Sequence, residues 1–298
     1  MEQANEYGKS RLSYLGGSCI STVVGVNEYK TLLELYEDKL GLNPKTESNS
    51  HMKIGLALEP MVLQNVADKV GLPLIKPYFL QHPVYDFLGG SPDALIGDCI
   101  IEAKTTASHK IKESEEIPAT YYTQIQYYLG LSGKKKCYLG VQCLAGAKDF
   151  FIKEIEFDKN YYEFLVSEGV NFWNDHIIPQ IPPAPSSVGD LNNKFPVASP
   201  DSSVQADETI INALLELKNI KSQESVITKR KEELDFIVKE AFSDKESLVC
   251  NGVTLATYKT SYSTRINSKK LKEEYTEIYK ICTNKTSGRR LLLVNKNL

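Results

Sequence analysis

Asp93, Glu102 and Lys104 are the residues whose types and spacing could do chemistry: Ser91-Pro92-Asp93 is followed, after eight residues, by Glu102-Ala103-Lys104. Gly97 and Asp98 mark a turn between the two halves, which predicts Asp93 and Glu102 on neighbouring strands. Alternation along a strand then puts Glu102 and Lys104 on one face, about 7 Å apart, while Ile101 and Ala103 point the other way. Unpaired charge is costly to bury, so these groups must satisfy one another or something bound there. A hard cation such as Mg²⁺ suits Asp93 and Glu102, with the Ile101 carbonyl as a further oxygen. A coordinated water would be the nucleophile, and Lys104 would orient or help deprotonate it and stabilise a pentavalent phosphate. The same residues also describe a surface hairpin with an Asp in its turn and a plain Glu-x-Lys ion pair.

These residues need a scaffold, and the surrounding pattern supplies one. Residues 29–40 and 52–70 carry apolar side chains at helical spacing and are each followed by glycine, Gly41 and Gly71. From Tyr78 to Thr106 the chain changes to short apolar stretches broken by tight-turn residues, as strands require. A helix over 118–131, two strands (KKCYLGVQCL and DFFIKEIEF) and a helix over 160–176 follow. Hairpin-length connections mixed with a helical one predict an α/β fold with a mixed central sheet flanked by helices.

Six of the thirteen prolines fall between Pro179 and Pro200. Such backbone favours an extended linker, so the reading is a domain over 1–180, a linker over 181–205 and a smaller α+β extension over 206–298. In the extension Ala213, Ile220, Ile227, Leu234 and Ala241 recur every seven residues, but Glu224 and Lys231 interrupt the seam. That predicts a long packed helix, then a hairpin in VTLATYKTSYSTRI, a short helix in KKLKEEYTEIYK and a last strand in RRLLLVN.

At 298 residues, 42% hydrophobic and 24% charged, the composition is globular, and no apolar run reaches the length of a membrane helix. The polar opening MEQANEYGKSR is no secretory signal, so the expectation is a soluble, cytoplasmic protein. A net charge of -3 leaves DNA open as a substrate, because phosphate binding is local and bound cations add positive charge. The six cysteines are scattered, which excludes a zinc finger, a disulfide framework and an iron–sulfur cluster and predicts buried, reduced thiols. The four histidines stand at no metal-binding spacing and partner no nucleophile, although His109 could line the site. Lys134, Lys135 and Lys136 form a basic turn that could follow a DNA backbone or be simply solvated. Arg289, Arg290, Lys269, Lys270 and Lys272 with Tyr275 and Tyr279 could form another basic face.

SPD, eight residues and EAK resemble the PD-(D/E)XK nuclease core, and the surrounding motifs resemble the YqaJ-like viral recombinase (lambda exonuclease) family. Arg11 and Ser18 are similar to that family's opening signature, although Cys19 stands where many relatives carry Asp. Gly55, Glu59 and Pro60 resemble its helical GxxxEP acid, and Gln124 and Gln126 its QxQ helix. The likeness runs from about Arg11 to Trp173.

It implies that Arg11 and Ser18 contact a terminal 5′-phosphate, that Glu59 completes the metal site and that Gln124 borders it, with Gln126 a packing or phosphate neighbour. Two Mg²⁺ ions, replaceable by Mn²⁺, would serve a 5′-to-3′ exonuclease on linear duplex DNA that leaves 3′ single-stranded tails. A single-strand annealing protein and a trimeric ring are the partners implied. An endonuclease of the same core and a nonenzymatic interaction module are the alternatives. Alanine at Asp93 or Lys104 is expected to abolish cleavage with little change in melting temperature.

Overall fold

A computed structural model of the chain describes residues 10–42, 50–106, 116–144, 150–283 and 291–292. His109, Arg289, Arg290 and most of RRLLLVN lie outside the described residues. The chain divides into two compact units, Met1–Leu191 and Asn192–Leu298.

In the first unit a short 3-10 turn, Arg11–Ser13, leads to α1, Gly17–Val23, and α2, Leu32–Lys39. Helix α2 starts three residues inside the predicted span, at a capping box: the Thr31 hydroxyl accepts from the Glu34 N–H, and the Glu34 carboxylate accepts from the Thr31 N–H. That reciprocal pair satisfies two backbone donors the first turn would otherwise leave open. Helix α3, Ser50–Val70, follows, with Pro60 in its interior.

Strands β1 (Leu74–Ile75), β4 (Ala94–Ile96), β5 (Cys99–Thr106), β6 (Lys136–Cys143) and β7 (Phe150–Glu156) form one sheet in the order β1-β4-β5-β6-β7. β2 (Leu80–Gln81) and β3 (Gly89–Gly90) pair separately. Only β5 and β6 run parallel, so the sheet is mixed, as expected. A parallel pair needs a crossover, and α4, Ala119–Ser132, lies in that connection. Helix α5, Lys159–Phe172, closes the unit and runs into a π-helical turn, Trp173–Ile177.

The sheet divides two cores. On one face Ile100, Cys137, Leu139, Val141 and Ile155 pack with Leu15, Ile20, Ile125, Leu129 and Leu165 from the helices α1, α4 and α5 and the segment before α1. On the other, Ala94, Ile96 and Ile101 pack with Val66 and Ala67 of α3. Burial on both faces explains why β5 opens as Ile100-Ile101 without polar alternation.

Part of the expected linker is folded. Helix α6, Val188–Lys194, contains buried Asp190, whose carboxylate accepts from the Thr31 hydroxyl at 2.8 Å and from the Ser186 and Ser187 N–H groups. Those bonds hold its carboxyl below the usual Asp range against the opposing effect of burial.

The second unit contains α7, Glu208–Phe242, a hairpin of β8 (Ser247–Cys250) and β9 (Val253–Thr257), and the short helices α8, Ser268–Glu274, and α9, Thr276–Ile281. The hairpin begins earlier in the chain than predicted. Asn251 and Gly252 both take positive φ, 49° and 79°, which is the geometry of the tight turn that Asn-Gly favours. Helix α7 is not packed along its length: Phe242, its ring tilted against that of Tyr258, is its buried residue among those described. The cysteine reading also needs correction, since Cys137 and Cys143 are buried but Cys250 and Cys282 are exposed. No helix among the described residues is long and apolar enough to cross a membrane.

Candidate active site

The antiparallel register pairs Ala94 with Ile101, so Asp93, one residue before β4, comes beside Glu102. Its carboxylate accepts from the Ala103 N–H at 2.8 Å, which fixes it against β5. Glu102 and Lys104 point from the face that bears Ile100, as strand alternation requires, and the Lys104 ammonium donates to Glu102 Oε1. The Glu102 side chain is 0% exposed and that of Lys104 20%, so this pair is no surface hairpin ornament. Glu102 Oε2 is buried without a hydrogen-bond partner among the described residues.

Burial, together with the neighbouring Asp93 and Glu59 carboxylates, pushes the Glu102 carboxyl up to about 8 even though Lys104 pulls it down. Burial works against the charge on Lys104, but Glu102 and Asp93 outweigh it and strengthen its hold on the proton. Lys104 is therefore held in its charged form beside Glu102. Removing it would strand a buried carboxylate, which typically costs about 3–5 kcal/mol, or less where the acid can take up a proton. The expectation of an unchanged melting temperature for Lys104→Ala is replaced accordingly.

Glu59 belongs to α3, the helix that covers the opposite face of the sheet from Glu102. It is half-buried, and its charge is nonetheless close enough to act on Glu102. Gly55, one turn earlier, faces β5, where a Cβ would stand in ordinary contact with the Thr105 hydroxyl at 3.5 Å.

Helix α4 supplies the other wall. Gln124 packs across α1, where a Cβ on Gly17 would come within 2.6 Å of its Cγ. Tyr128 was missed by the sequence reading. Its hydroxyl accepts from the Gly17 N–H at 3.2 Å, and its ring fills the space that a side chain on Gly90 would need. Burial and the charge of Glu102 raise its phenol well above the ordinary range, which keeps it a neutral hydrogen-bonding group. Tyr121, also unanticipated, lies under the Lys104 ammonium, 5.6 Å from ring centre to nitrogen. Both were hidden in sequence because tyrosines at helical spacing read as core.

Gln126 is a structural residue. Its amide donates to the Glu156 carbonyl and accepts from the Asp158 N–H, both at 2.8 Å, joining the end of β7 to the start of α5. Gln126→Leu should lower unfolding free energy by about 1–2 kcal/mol, because the wholly buried Gln126 side chain loses two part-buried hydrogen bonds to backbone. A denaturant titration measures this, and a reduced kcat in the folded variant would instead put Gln126 in the site.

Ser18 is exposed on the first turn of α1, beside the Gly17 that Tyr128 holds. Tyr127 also anchors this region, donating to the Leu15 carbonyl at 2.8 Å. Arg11 is exposed on the 3-10 turn, and buried Lys39 donates to the carbonyls of Arg11 and Tyr14, the two ends of that turn. The basic turn is less available than its composition suggests: Lys134 pairs with Asp98, Lys136 with Glu154, and Lys135 lies over the Phe157 ring.

No cluster of three or more His, Cys, Asp or Glu residues forms a ready metal cage among the described residues. A hard cation that keeps several waters needs no such cage, and two carboxylates suffice to hold it. Asp93 and Glu102 fit that requirement, and the unpartnered Glu102 Oε2 is a buried oxygen in want of a cation.

The YqaJ-like viral recombinase domain matches residues 6–135. The chain is 33% identical over 298 residues to the uncharacterized protein YqaJ of Bacillus subtilis (strain 168), a match covering 96% of this chain and 92% of that one. Among solved structures it is similar to an alkaline exonuclease, LHK-Exo, from Laribacter hongkongensis, with a TM-score of 0.48 and 22% identity over 55% of this chain and 88% of that one. A putative exonuclease from Eubacterium rectale gives a TM-score of 0.48 at 12% identity, covering 72% of this chain and 98% of that one.

Proposed function

Since this chain belongs to the YqaJ-like viral recombinase family, we propose that it is a Mg²⁺-dependent exonuclease that digests linear double-stranded DNA from its 5′ ends. One observation carries the reading: Glu102 is wholly buried between Asp93 and Lys104, with one carboxylate oxygen left unpartnered. Folding a carboxylate into such a place is costly unless a bound cation or proton completes it.

Asp93, Glu102 and the Ile101 carbonyl would hold the metal, with Glu59 as a further carboxylate. When bound, Mg²⁺ supplies Lewis acidity at the phosphate and a water acidic enough to attack near neutral pH. Lys104 contributes a fixed positive charge where the pentavalent phosphate gathers negative charge. Tyr121 limits its swing. Gln124 and Tyr128 position α1 against the site, so that Ser18 and Arg11 can engage a terminal 5′-phosphate. Cleavage at each step would release a 5′-mononucleotide, and the 3′ tail that accumulates is a substrate for a single-strand annealing protein.

The test uses linear duplexes with 5′-phosphate or 5′-hydroxyl ends and a covalently closed circle, each with and without Mg²⁺. The linear DNA should be degraded only with Mg²⁺ and faster from phosphorylated ends, while the circle survives. Cutting of the circle would replace the exonuclease reading with an endonuclease. Arg11→Ala should erase the preference for phosphorylated ends; equal slowing on both would make Arg11 a general backbone contact.

A further inference from the structure

Helix α7 runs for 35 residues, roughly 52 Å at 1.5 Å per residue. Along it, Ile210, Leu217, Glu224, Lys231 and Val238 repeat every seven residues, three positions before the series that starts at Ala213. Together the two series form a coiled-coil-like seam over five heptads, apolar except at Glu224 and Lys231. That seam is open to solvent: Ile227 is 67% exposed, Leu234 47% and Val238 44%. Ile227, Leu234 and Val238, with Lys231 among them, line one largely apolar face of the helix along the same stretch.

We infer that the α7 seam is an interaction surface for a second copy of this chain, bound antiparallel about a two-fold axis near Thr228. The charges select both the partner and the direction. In a parallel pair each residue of the seam faces its own copy, so Glu224 would meet Glu224 and Lys231 would meet Lys231 inside the interface. In an antiparallel pair centred near Thr228, Glu224 comes level with Lys231 of the other copy to within about one helical turn. Lys221 and Asp235, seven residues either side of Thr228, also become opposite neighbours across the axis. A parallel pair would gain Glu216 with Lys221 and Arg230 with Asp235 at its rim, but rim pairs count for little against like charges within a seam. Arg230, which meets its own copy near the axis, is already neutralised by Glu233 at 2.8 Å. Self-complementarity of this kind is what an isologous two-fold interface requires.

The test measures the mass of the full-length protein by light scattering and sedimentation, with circular dichroism confirming helix content. Wild type should form an assembly with an even number of copies, and Ile227→Asp with Leu234→Asp should halve its mass. Glu224→Lys alone should weaken that association at least tenfold, because both copies then bring lysines together. Combining it with Lys231→Glu should restore the association. A mass unaffected by the Asp pair overturns the interface, and a Glu224→Lys protein that associates as wild type does, or a double swap that fails to rescue, overturns the antiparallel arrangement.

Discussion

Glu102→Gln should lower kcat on linear duplex DNA on the order of 10³-fold and should also remove the rise in melting temperature that Mg²⁺ gives the wild-type protein. The size of the loss follows from weakening the hold on the cation that would stabilise charge at the reacting phosphate, and loss of one such electrostatic stabiliser typically costs factors of about 10²–10³. The thermal effect follows from linkage, since a ligand that binds only the folded chain stabilises it by an amount that grows as the logarithm of its concentration over its Kd. Lys104→Ala gives the opposite pairing of results. Its cleavage rate should fall by a comparable factor, yet its Mg²⁺-dependent thermal shift should persist or grow, because Lys104 no longer competes for Glu102 Oε1. Calorimetric melts with and without Mg²⁺, run beside a nuclease assay, separate the two variants. Equal loss of the Mg²⁺ shift in both would mean that the pair, not Glu102 alone, makes the cation site; undiminished cleavage in either would remove the proposed mechanism.

Gly140→Val should destabilise the first unit by about 2–3 kcal/mol or more and weaken the response to Mg²⁺, although residue 140 is no part of the site. Gly140 lies on β6 opposite Ala103, beneath α3. A Cβ there would stand 2.6 Å from a Val66 methyl and 3.2 Å from one on Val62, both on the rigid body of the helix. Overpacking of this kind forces backbone to move, at a typical cost of about 1–3 kcal/mol. The movement available is α3 lifting from the sheet, and α3 carries Glu59. Urea titration reads the stability and the Mg²⁺ thermal shift reads the coupling. An unchanged urea midpoint would mean that α3 is not seated on Gly140.

The candidate site was readable where periodicity and charge coincide. Glu102 and Lys104 share a face because strand alternation leaves no other choice, and Asp93 stands beside them because the Gly97-Asp98 turn sets the register. Thr31 and Glu34 announce the start of α2 by their spacing. Other features depend on contacts across long sequence separations. Tyr128 looks like any core tyrosine until Gly17 and Gly90 are seen to leave room for it. Gln126 and Gln124 are two residues apart on one helix and look alike in sequence, but only the first is tied to backbone at the end of β7. Asp190 lies in a proline-rich stretch whose composition suggests an extended linker, and Thr31 far upstream supplies the bond that buries it. Glu59 was identified by its motif, while its approach from the opposite face of the sheet follows from which core α3 joins.

The parallel pairing of β5 with β6 bears on how the protein acquires its activity. Glu102 is matched with Leu139, across a connection that includes the whole of α4, and the residues gathered around it run from Glu59 to Tyr128. Pairings this distant in sequence form slowly, because the chain loses loop entropy before it gains their contacts. A ribosome-bound fragment that ends before β6 lacks the strand that pairs with Glu102. The candidate site is therefore assembled only with the finished core, and topology itself times its appearance during synthesis.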